Sequence, residues 1–209
     1  MRTLYTVPTA NGQRASIALE ECGIDYDTRV VNLYDGEHKS DEMLQLNPFG
    51  RMPVLKLATG MVDGEGRDGT VYGSFAIGMY AAESAGLLLP EDIVDSDFYH
   101  WIGIVMTDLV PAFAGQFYLG QLAPEPFEWG RDFYADIIER FVRGIDEHLA
   151  GSTYFLGETY TLVDVLFYPT AATSLARMPG GLAAYENIAR WAELLKRRDA
   201  VVRGMAVSS

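Results

Sequence analysis

Up to about residue 84, short apolar runs of strand length alternate with longer segments in which apolar residues recur at helical spacing. Pro8 ends the first run, and Gly23 stands where glycine commonly ends a helix. Ser74 is placed to cap the third helical segment. The predicted elements are, in chain order, a strand over 3–7, a helix over 13–22, a strand over 28–33, a short helix over 42–46, a pair of strands over 54–57 and 70–72, and a helix over 75–83. This order, βαβαββα, predicts an α/β domain.

A linker over residues 85–90 separates this pattern from a second part that is helical throughout. Apolar residues recur there at helical spacing in three segments, at Phe98, Trp101, Ile102, Val105 and Leu109, at Tyr134, Ile138, Phe141, Ile145 and Leu149, and at Ile188, Trp191 and Leu195. Pro111 predicts a kink in the first of these helices, and Thr161–Asp164 has the spacing of a capping box. The sequence therefore predicts a thioredoxin-like α/β domain over residues 1–84, followed by an all-α domain over residues 91–209.

The charge of the chain argues against nucleic acid or an anionic membrane as a partner. Its 209 residues have a net charge of -13, whereas phosphate binding needs clustered basic side chains. No uninterrupted apolar stretch approaches membrane-spanning length, and the N-terminus lacks the apolar core of a signal peptide. We therefore predict a cytoplasmic protein with no nucleic-acid or membrane partner.

Cysteine and histidine usage limits the redox and metal chemistry of the chain. Cys22 is the single cysteine, which excludes a disulfide framework, a CxxC redox pair and a cysteine-based zinc site. His100 and His148 are isolated and lack metal-ligand spacing, so no metal site is predicted.

Two polar segments of the first domain carry the candidate chemistry. Residues 8–12 lead into the first helix and offer a threonine hydroxyl, an asparagine amide and the positive end of a helix dipole. Residues 36–54 join a basic loop at His38 and Lys39 to an apolar strand that opens on Met52-Pro53. Thr9 and Asn11 also have a purely structural interpretation, as turn and helix-capping residues, and His38 has one as a solvated loop residue.

These segments together resemble the glutathione site of cytosolic glutathione S-transferases, and the resemblance extends over essentially the whole chain. Three motifs carry it. The run from Tyr5 to Gly12, YTVPTANG, is similar to the bacterial nu class, where a threonine and an asparagine replace the tyrosine, serine or cysteine of other classes. The run from Gly36 to Val54 is closer to the phi class, and the third motif is the capping box Thr161–Asp164. The family implies a thioredoxin-like domain followed by an all-helical one.

The resemblance also implies roles around the glutathione sulfur. Thr9 and Asn11 would be the catalytic residues beside it, and Tyr5 is a reserve candidate because other classes use a phenol. Met52, ahead of a cis Pro53, would pair its backbone N–H and C=O with the cysteinyl backbone of glutathione.

The carboxylates of glutathione would bind elsewhere in the two segments and at the third helix. By the same resemblance, His38, Lys39 and Arg51 would face the glycyl carboxylate. Ser74, at a helix N-terminus, would bind the γ-glutamyl carboxylate.

Gly73 departs from the family pattern, because an acidic residue usually stands there and meets the γ-glutamyl ammonium of glutathione. We expect weak glutathione binding unless another acid substitutes. The candidates are an acid of a partner subunit, or Glu65 and Asp68 in the loop before this site.

The function implied by the resemblance is that of a detoxifying glutathione transferase, which activates the thiolate of its co-substrate for attack on a small apolar electrophile or a disulfide. The helical domain would carry the second-substrate site, and the protein would be a homodimer. An aromatic stripe in that domain is expected to be mostly core, with some members lining the pocket: Phe98, Trp101, Phe113, Phe117 and Tyr118. Two alternatives stay open, a non-catalytic binding or regulatory protein, which Gly73 favours, and a glutathione-dependent lyase or isomerase.

Overall fold

The computed structural model of the chain describes residues 1–58, 69–92 and 96–207. Glu65 and Asp68, the two loop acids named as substitutes, lie outside these residues. All of the predicted site residues lie within them.

Contacts between residues divide the chain into two units. Unit 1 contains Met1–Leu89 together with the chain from Lys196 onward, and unit 2 contains Pro90–Leu195. The predicted helical domain, 91–209, differs from unit 2 at its end, because the last helix packs with unit 1. Unit 1 is therefore built from two separate stretches of sequence.

Unit 1 contains a four-stranded mixed sheet in the order β2-β1-β3-β4. Its strands are β1 (Arg2–Thr6), β2 (Tyr26–Val30), β3 (Val54–Lys56) and β4 (Thr70–Tyr72). β1 pairs in parallel with β2 and antiparallel with β3, which in turn pairs antiparallel with β4. The predicted βαβαββα order and the thioredoxin-like architecture are confirmed. The second strand was predicted too late in the chain, because its apolar spacing is weak at the edge of the sheet, where most of its residues are exposed.

The helices of unit 1 are α1 (Ala10–Glu21), α2 (Asp41–Leu46), α3 (Ser74–Ala85) and the last helix of the chain, α9 (Asp199–Ala206), with a short 3₁₀ turn over Glu37–Lys39. α9 packs closely against α1. A Cβ at Gly204 would lie 2.6 Å from the Ile17 backbone, and the Ser16 hydroxyl donates to the Gly204 carbonyl oxygen over 2.6 Å. Only a residue without a side chain allows this approach, so Gly204 fixes the packing of the last helix.

Unit 2 is helical, as predicted. Its helices are α4 (Ser96–Gly103), α5 (Val110–Phe117), α6 (Glu128–Leu149), α7 (Leu162–Pro169) and α8 (Glu186–Leu195), with π-helical turns over Ile104–Leu109, Tyr118–Leu122 and Thr170–Ser174 and 3₁₀ turns over Leu175–Arg177 and Gly181–Ala184. Pro111, where a kink was predicted, lies in the first turn of α5 directly after a π-helical turn. A change of helical register at this point fits the backbone donor that proline lacks.

The helical run Asp97–Leu122 is long and apolar enough to cross a membrane by length and composition alone. Asp108 interrupts its apolar sequence, so the run is not the uninterrupted stretch considered above. Phe98, Val105 and Leu109 are fully buried along it. These buried residues recur at helical spacing, and 28% of the most apolar 18-residue window of the run is buried.

The capping box at the start of α7 is present as predicted, and Asp164 is completely buried there. Its carboxylate accepts hydrogen bonds from the backbone N–H of Thr161 at 2.9 Å, from the Thr161 hydroxyl at 3.4 Å, from the Phe155 N–H at 3.2 Å and from the Trp191 indole N–H at 2.9 Å. Burial raises the pKa of Asp164 from 3.8 to about 6, although all of these hydrogen bonds act in the opposite direction. One carboxylate thus joins the start of α7 to the core of unit 2.

Candidate functional site

Thr9 is the N-cap of α1, with extended backbone angles, and its side chain is exposed. Its hydroxyl oxygen accepts a hydrogen bond from the Gly12 N–H at 3.4 Å. The hydroxyl oxygen of Thr9 therefore caps the helix, as the structural interpretation predicts. Its hydroxyl proton is still available for a bond to an acceptor outside the helix.

Asn11 lies in the first turn of α1, exposed to solvent. Its side-chain oxygen, Oδ1, accepts from an Arg14 guanidinium nitrogen at 2.5 Å and from the Ser74 hydroxyl at 3.4 Å. A guanidinium is a donor only, so the atom facing Arg14 is the oxygen of the amide. The amide nitrogen of Asn11, with its two N–H donors, consequently points away from Arg14 and Ser74.

Arg14 is a residue of this site that the sequence reasoning missed. Its side chain is 1% exposed, and burial lowers its pKa from 12.5 to about 9. A lone arginine in an amphipathic helix pattern is usually a surface residue, but Arg14 is flanked on α1 by the buried residues Ala15, Ser16 and Ile17. Its position on the apolar face of the helix was the signal that could have found it.

Ser74 is the first residue of α3 and is 6% exposed. Its contact with Asn11 brings two predicted site residues together from the starts of two helices. The N-cap position of α3 is Gly73, which offers no side-chain cap, and the first turn of α3 has no acidic residue. The N-terminus of α3 therefore combines a hydroxyl with helix-start N–H groups, the arrangement that binds anions.

The Met52-Pro53 peptide bond is cis, as the resemblance implies. The Pro53 carbonyl accepts from the Gly73 N–H at 3.0 Å, which holds this turn beside the start of α3. Among the described residues, neither the N–H nor the C=O of Met52 has a hydrogen-bond partner. Both groups can therefore pair with an extended peptide.

The predicted basic residues come from two loops that lie side by side. A Cβ at Gly50 would lie 3.4 Å from the His38 carbonyl and 3.6 Å from a side-chain carbon of Lys39, and Arg51 follows Gly50 directly. Buried Asn47 braces the second loop, since its side chain donates to the Arg51 carbonyl at 2.7 Å and accepts from the Phe49 N–H at 3.1 Å.

The Nδ1 nitrogen of the His38 ring is buried and has no hydrogen-bond partner within residues 1–58, 69–92 and 96–207. A proton on that nitrogen would be unsatisfied, which disfavours it. The neutral ring consequently carries its proton on Nε2, where it can be donated to a carboxylate.

Tyr5 and Cys22 are both buried in unit 1. Tyr5 is 8% exposed and packs in the core cluster of unit 1 with Val7, Met43 and Val54, beneath the Arg29 guanidinium. Burial and the neighbouring Glu21 raise the pKa of Cys22 from 9.0 to about 11. The single thiol of the protein is therefore not a nucleophile at neutral pH.

Metal chemistry has no visible site in the described chain. Across residues 1–58, 69–92 and 96–207, no three His, Cys, Asp or Glu side chains group together as metal ligands. The site offers hydrogen-bond donors: two hydroxyls, an amide, two helix N-termini and two neighbouring basic loops.

Comparison with known proteins gives two family matches. The glutathione S-transferase N-terminal domain matches residues 10–84, and the glutathione S-transferase C-terminal domain matches residues 128–194. The disulfide-bond oxidoreductases YghU and YfcG of Escherichia coli (strain K12) are 27% and 26% identical to this chain and match 98% and 96% of it, with 74% and 92% of their own lengths covered. A solved glutathione transferase from Pseudomonas putida, with one glutathione disulfide bound per subunit, is 25% identical with a TM-score of 0.87, covering 100% of this chain and 92% of that one.

Proposed function

Because the chain belongs to the glutathione S-transferase family, we propose that it binds glutathione in unit 1 and uses the bound thiolate to reduce small disulfides. The same thiolate would attack small apolar electrophiles. The observation that carries the proposal is the orientation of Asn11, whose amide N–H donors point away from Arg14 and Ser74, two residues from exposed Thr9. The names of the oxidoreductase relatives favour disulfides as substrates.

Hydrogen bonds from Thr9 and Asn11 are strong enough to ionise the bound thiol. A free thiol has a pKa of about 8.5 and is only a few per cent thiolate at neutral pH. A hydrogen bond to a charged group contributes about 1.5–3 kcal/mol, and about 1.36 kcal/mol corresponds to one pKa unit. One or two such bonds therefore make the thiolate the major species.

The rest of unit 1 would hold the tripeptide in place. The Ser74 hydroxyl and the N-terminus of α3 would bind the γ-glutamyl carboxylate. Met52 would pair with the cysteinyl backbone through its two free backbone groups. The Nε2 proton of His38, with Lys39 and Arg51, would bind the glycyl carboxylate.

The disulfide reaction needs no cysteine of the protein. The bound thiolate attacks one sulfur of the substrate, a mixed disulfide forms, and the departing thiolate takes up a proton from water. A second glutathione thiolate then attacks the mixed disulfide, releasing the other substrate thiol and glutathione disulfide. Two electrons thus pass from two glutathiones to the substrate. This fits Cys22, which is buried and protonated.

The proposal is tested by titrating the protein with glutathione and following thiolate absorbance against pH. We expect binding with a thiol pKa below about 7, and turnover of bis(hydroxyethyl) disulfide exceeding that of an activated aryl chloride. Binding without ionisation or turnover would identify a non-catalytic binding protein. Ionised glutathione with no turnover of either substrate would favour the lyase or isomerase alternative, and no retention on immobilised glutathione would refute the proposal.

Gly73 limits how the missing acidic residue can be restored. Its φ of 93° lies in the left-handed region, although a Cβ there would meet nothing within 4 Å. Any side chain at this position therefore strains the backbone by about 1–3 kcal/mol but does not clash. We therefore expect any gain in glutathione affinity from Gly73→Glu to be accompanied by a loss of stability.

We predict that Gly73→Glu binds glutathione about tenfold more tightly than Gly73→Ala, because both variants carry the same backbone strain and only one has a carboxylate for the γ-glutamyl ammonium. Calorimetry on the two variants measures the difference, and thermal unfolding measures the shared strain. Equal affinities in the two variants would show that the ammonium has another partner.

We further propose that the protein is a homodimer and that an aromatic patch of unit 1 contributes to the interface. Phe49 is 73% exposed and lies 6.1 Å from the ring of Tyr72, which is also exposed. Exposed aromatic side chains at this density are typical of interface anchors.

Light scattering at physiological ionic strength is expected to give the mass of two chains. Phe49→Ser should weaken the dimer about tenfold or more, whereas the matched control Tyr34→Ser, at a residue that is fully exposed in the same unit, should not. A monomer mass for the wild type would contradict the proposal.

A further inference from the structure

The buried guanidinium of Arg14 is the least expected feature of unit 1. Removing a charge from water costs several kcal/mol unless hydrogen bonds and partners compensate. One guanidinium nitrogen of Arg14 donates to Oδ1 of the exposed residue Asn11 at 2.5 Å, and this bond lies within one turn of α1. Because buried Arg14 bonds to the side chain of exposed Asn11, it can fix the orientation of the Asn11 amide.

The bond from Ser74 to Asn11 is longer, 3.4 Å, and it competes with a ligand. In the proposed complex the Ser74 hydroxyl donates to the γ-glutamyl carboxylate, and one hydroxyl has one proton to give. The Asn11 oxygen then loses that donor on binding. Arg14 remains as its donor in the state in which the reaction takes place.

We propose that Arg14 is a positioning residue for the bound thiolate, which holds the amide of Asn11 with its N–H donors turned toward the sulfur. The inference rests on the proposed function. The side-chain amide of Asn11 can flip by 180° with little change in shape, and the flipped amide would direct its oxygen toward the thiolate. Arg14 prevents this, because a guanidinium cannot accept a hydrogen bond from the amide nitrogen.

Arg14→Met removes the donors and the charge but keeps the length and apolar stem of the side chain, so the variant is expected to fold. We expect kcat to fall about tenfold or more, the KM for glutathione to change less, and the pKa of the bound thiol to rise. Arg14→Lys, which keeps a donor and a charge, should recover part of the loss. Arg203→Met is the matched control, since Arg203 lies on α9 and pairs with Glu20.

A double-mutant cycle with Asn11→Ala separates positioning from a general effect of the charge. If Arg14 acts through Asn11, Arg14→Met should cost little in the Asn11→Ala background, where no amide is left to orient. Equal losses in the two backgrounds would overturn the inference.

A measurement without glutathione keeps the inference independent of the proposed function. The side-chain amide signals of Asn11, assigned by their loss in Asn11→Ala, should shift and broaden in Arg14→Met and not in Arg203→Met. Unchanged signals in Arg14→Met would overturn the inference even if the protein binds glutathione. A wild type that does not ionise glutathione would refute the proposed function, while the amide signals would still decide whether Arg14 orients Asn11.

Discussion

Replacement of Asn11 by alanine is expected to lower the turnover of bound glutathione by about a hundredfold, with a smaller rise in the Michaelis constant for glutathione. Removing one preorganised donor to a developing or full negative charge has effects of this size. The interaction acts on the charged sulfur, so its loss falls on kcat more than on binding. Steady-state kinetics with the disulfide substrate at saturating and limiting glutathione separate the two constants.

The sharper variant is Asn11→Asp. Aspartate keeps an oxygen for Arg14 and Ser74 but replaces the outward N–H donors with a second oxygen. If Asn11 were only a structural link between these residues, Asn11→Asp would retain activity. We expect it instead to lose at least as much activity as Asn11→Ala, because a carboxylate repels the thiolate.

Tyr5 provides the competing assignment. It packs in the core of unit 1 and is buried, whereas Thr9 and Asn11 are exposed. Tyr5→Phe is therefore expected to keep most of the activity. Full activity in Thr9→Ala and Asn11→Ala, together with an inactive Tyr5→Phe, would instead make the phenol of Tyr5 the activating group.

Loss of the buried carboxylate of Asp164 is expected to have the largest effect on stability. Asp164→Ala leaves the N–H groups of Thr161, Phe155 and Trp191 without their acceptor, and each buried unpaired donor costs about 1–3 kcal/mol. We expect a loss of at least about 3 kcal/mol, or about 6–12 °C in the unfolding temperature of a chain of this size. Calorimetry measures it, and Asp136→Ala, at an exposed position on α6, should change the stability by less than about 0.5 kcal/mol.

The same carboxylate predicts a pH dependence of stability. Its pKa is raised to about 6 in the folded protein and is close to 3.9 in an unfolded chain. The folded state therefore binds the proton more tightly than the unfolded state does. Above about pH 6 the carboxyl group is ionised, and the fold is then less stable than it is with the proton bound. We expect the stability of the wild type relative to Asp164→Asn to increase as the pH falls from about 6 to about 4, and a flat difference would contradict the raised pKa.

The sequence predicted those features that depend on neighbouring residues. The strand and helix order follows from local apolar spacing, and the capping box follows from the three-residue separation of Thr161 and Asp164. The start of α1 was predicted three residues too late because Asn11-Gly12 was read as a turn, whereas both residues lie in the first turn of the helix that Thr9 caps.

Features that depend on distant contacts could not be predicted in the same way. Trp191 donates to Asp164 across 27 positions of the sequence, and Ser74 contacts Asn11 across 63. The burial of Arg14 depends on how α1 packs in unit 1, and the φ of Gly73 depends on the turn between β4 and α3. The residue types of the site were therefore visible in the sequence, while the bond that orients Asn11 was not.

The attachment of α9 to α1 has a consequence for synthesis of the protein on the ribosome. The sheet and the first helices of unit 1 are translated before unit 2, but the helix that covers Ile17 and Ser16 is translated after it. Unit 2 is translated in between and can fold as one continuous stretch. One face of α1 in unit 1 therefore stays uncovered until the residues of unit 2 and of α9 have been made. A nascent chain stopped within unit 2 exposes that apolar face to chaperones and proteases, which gives the cell a means of recognising unfinished copies.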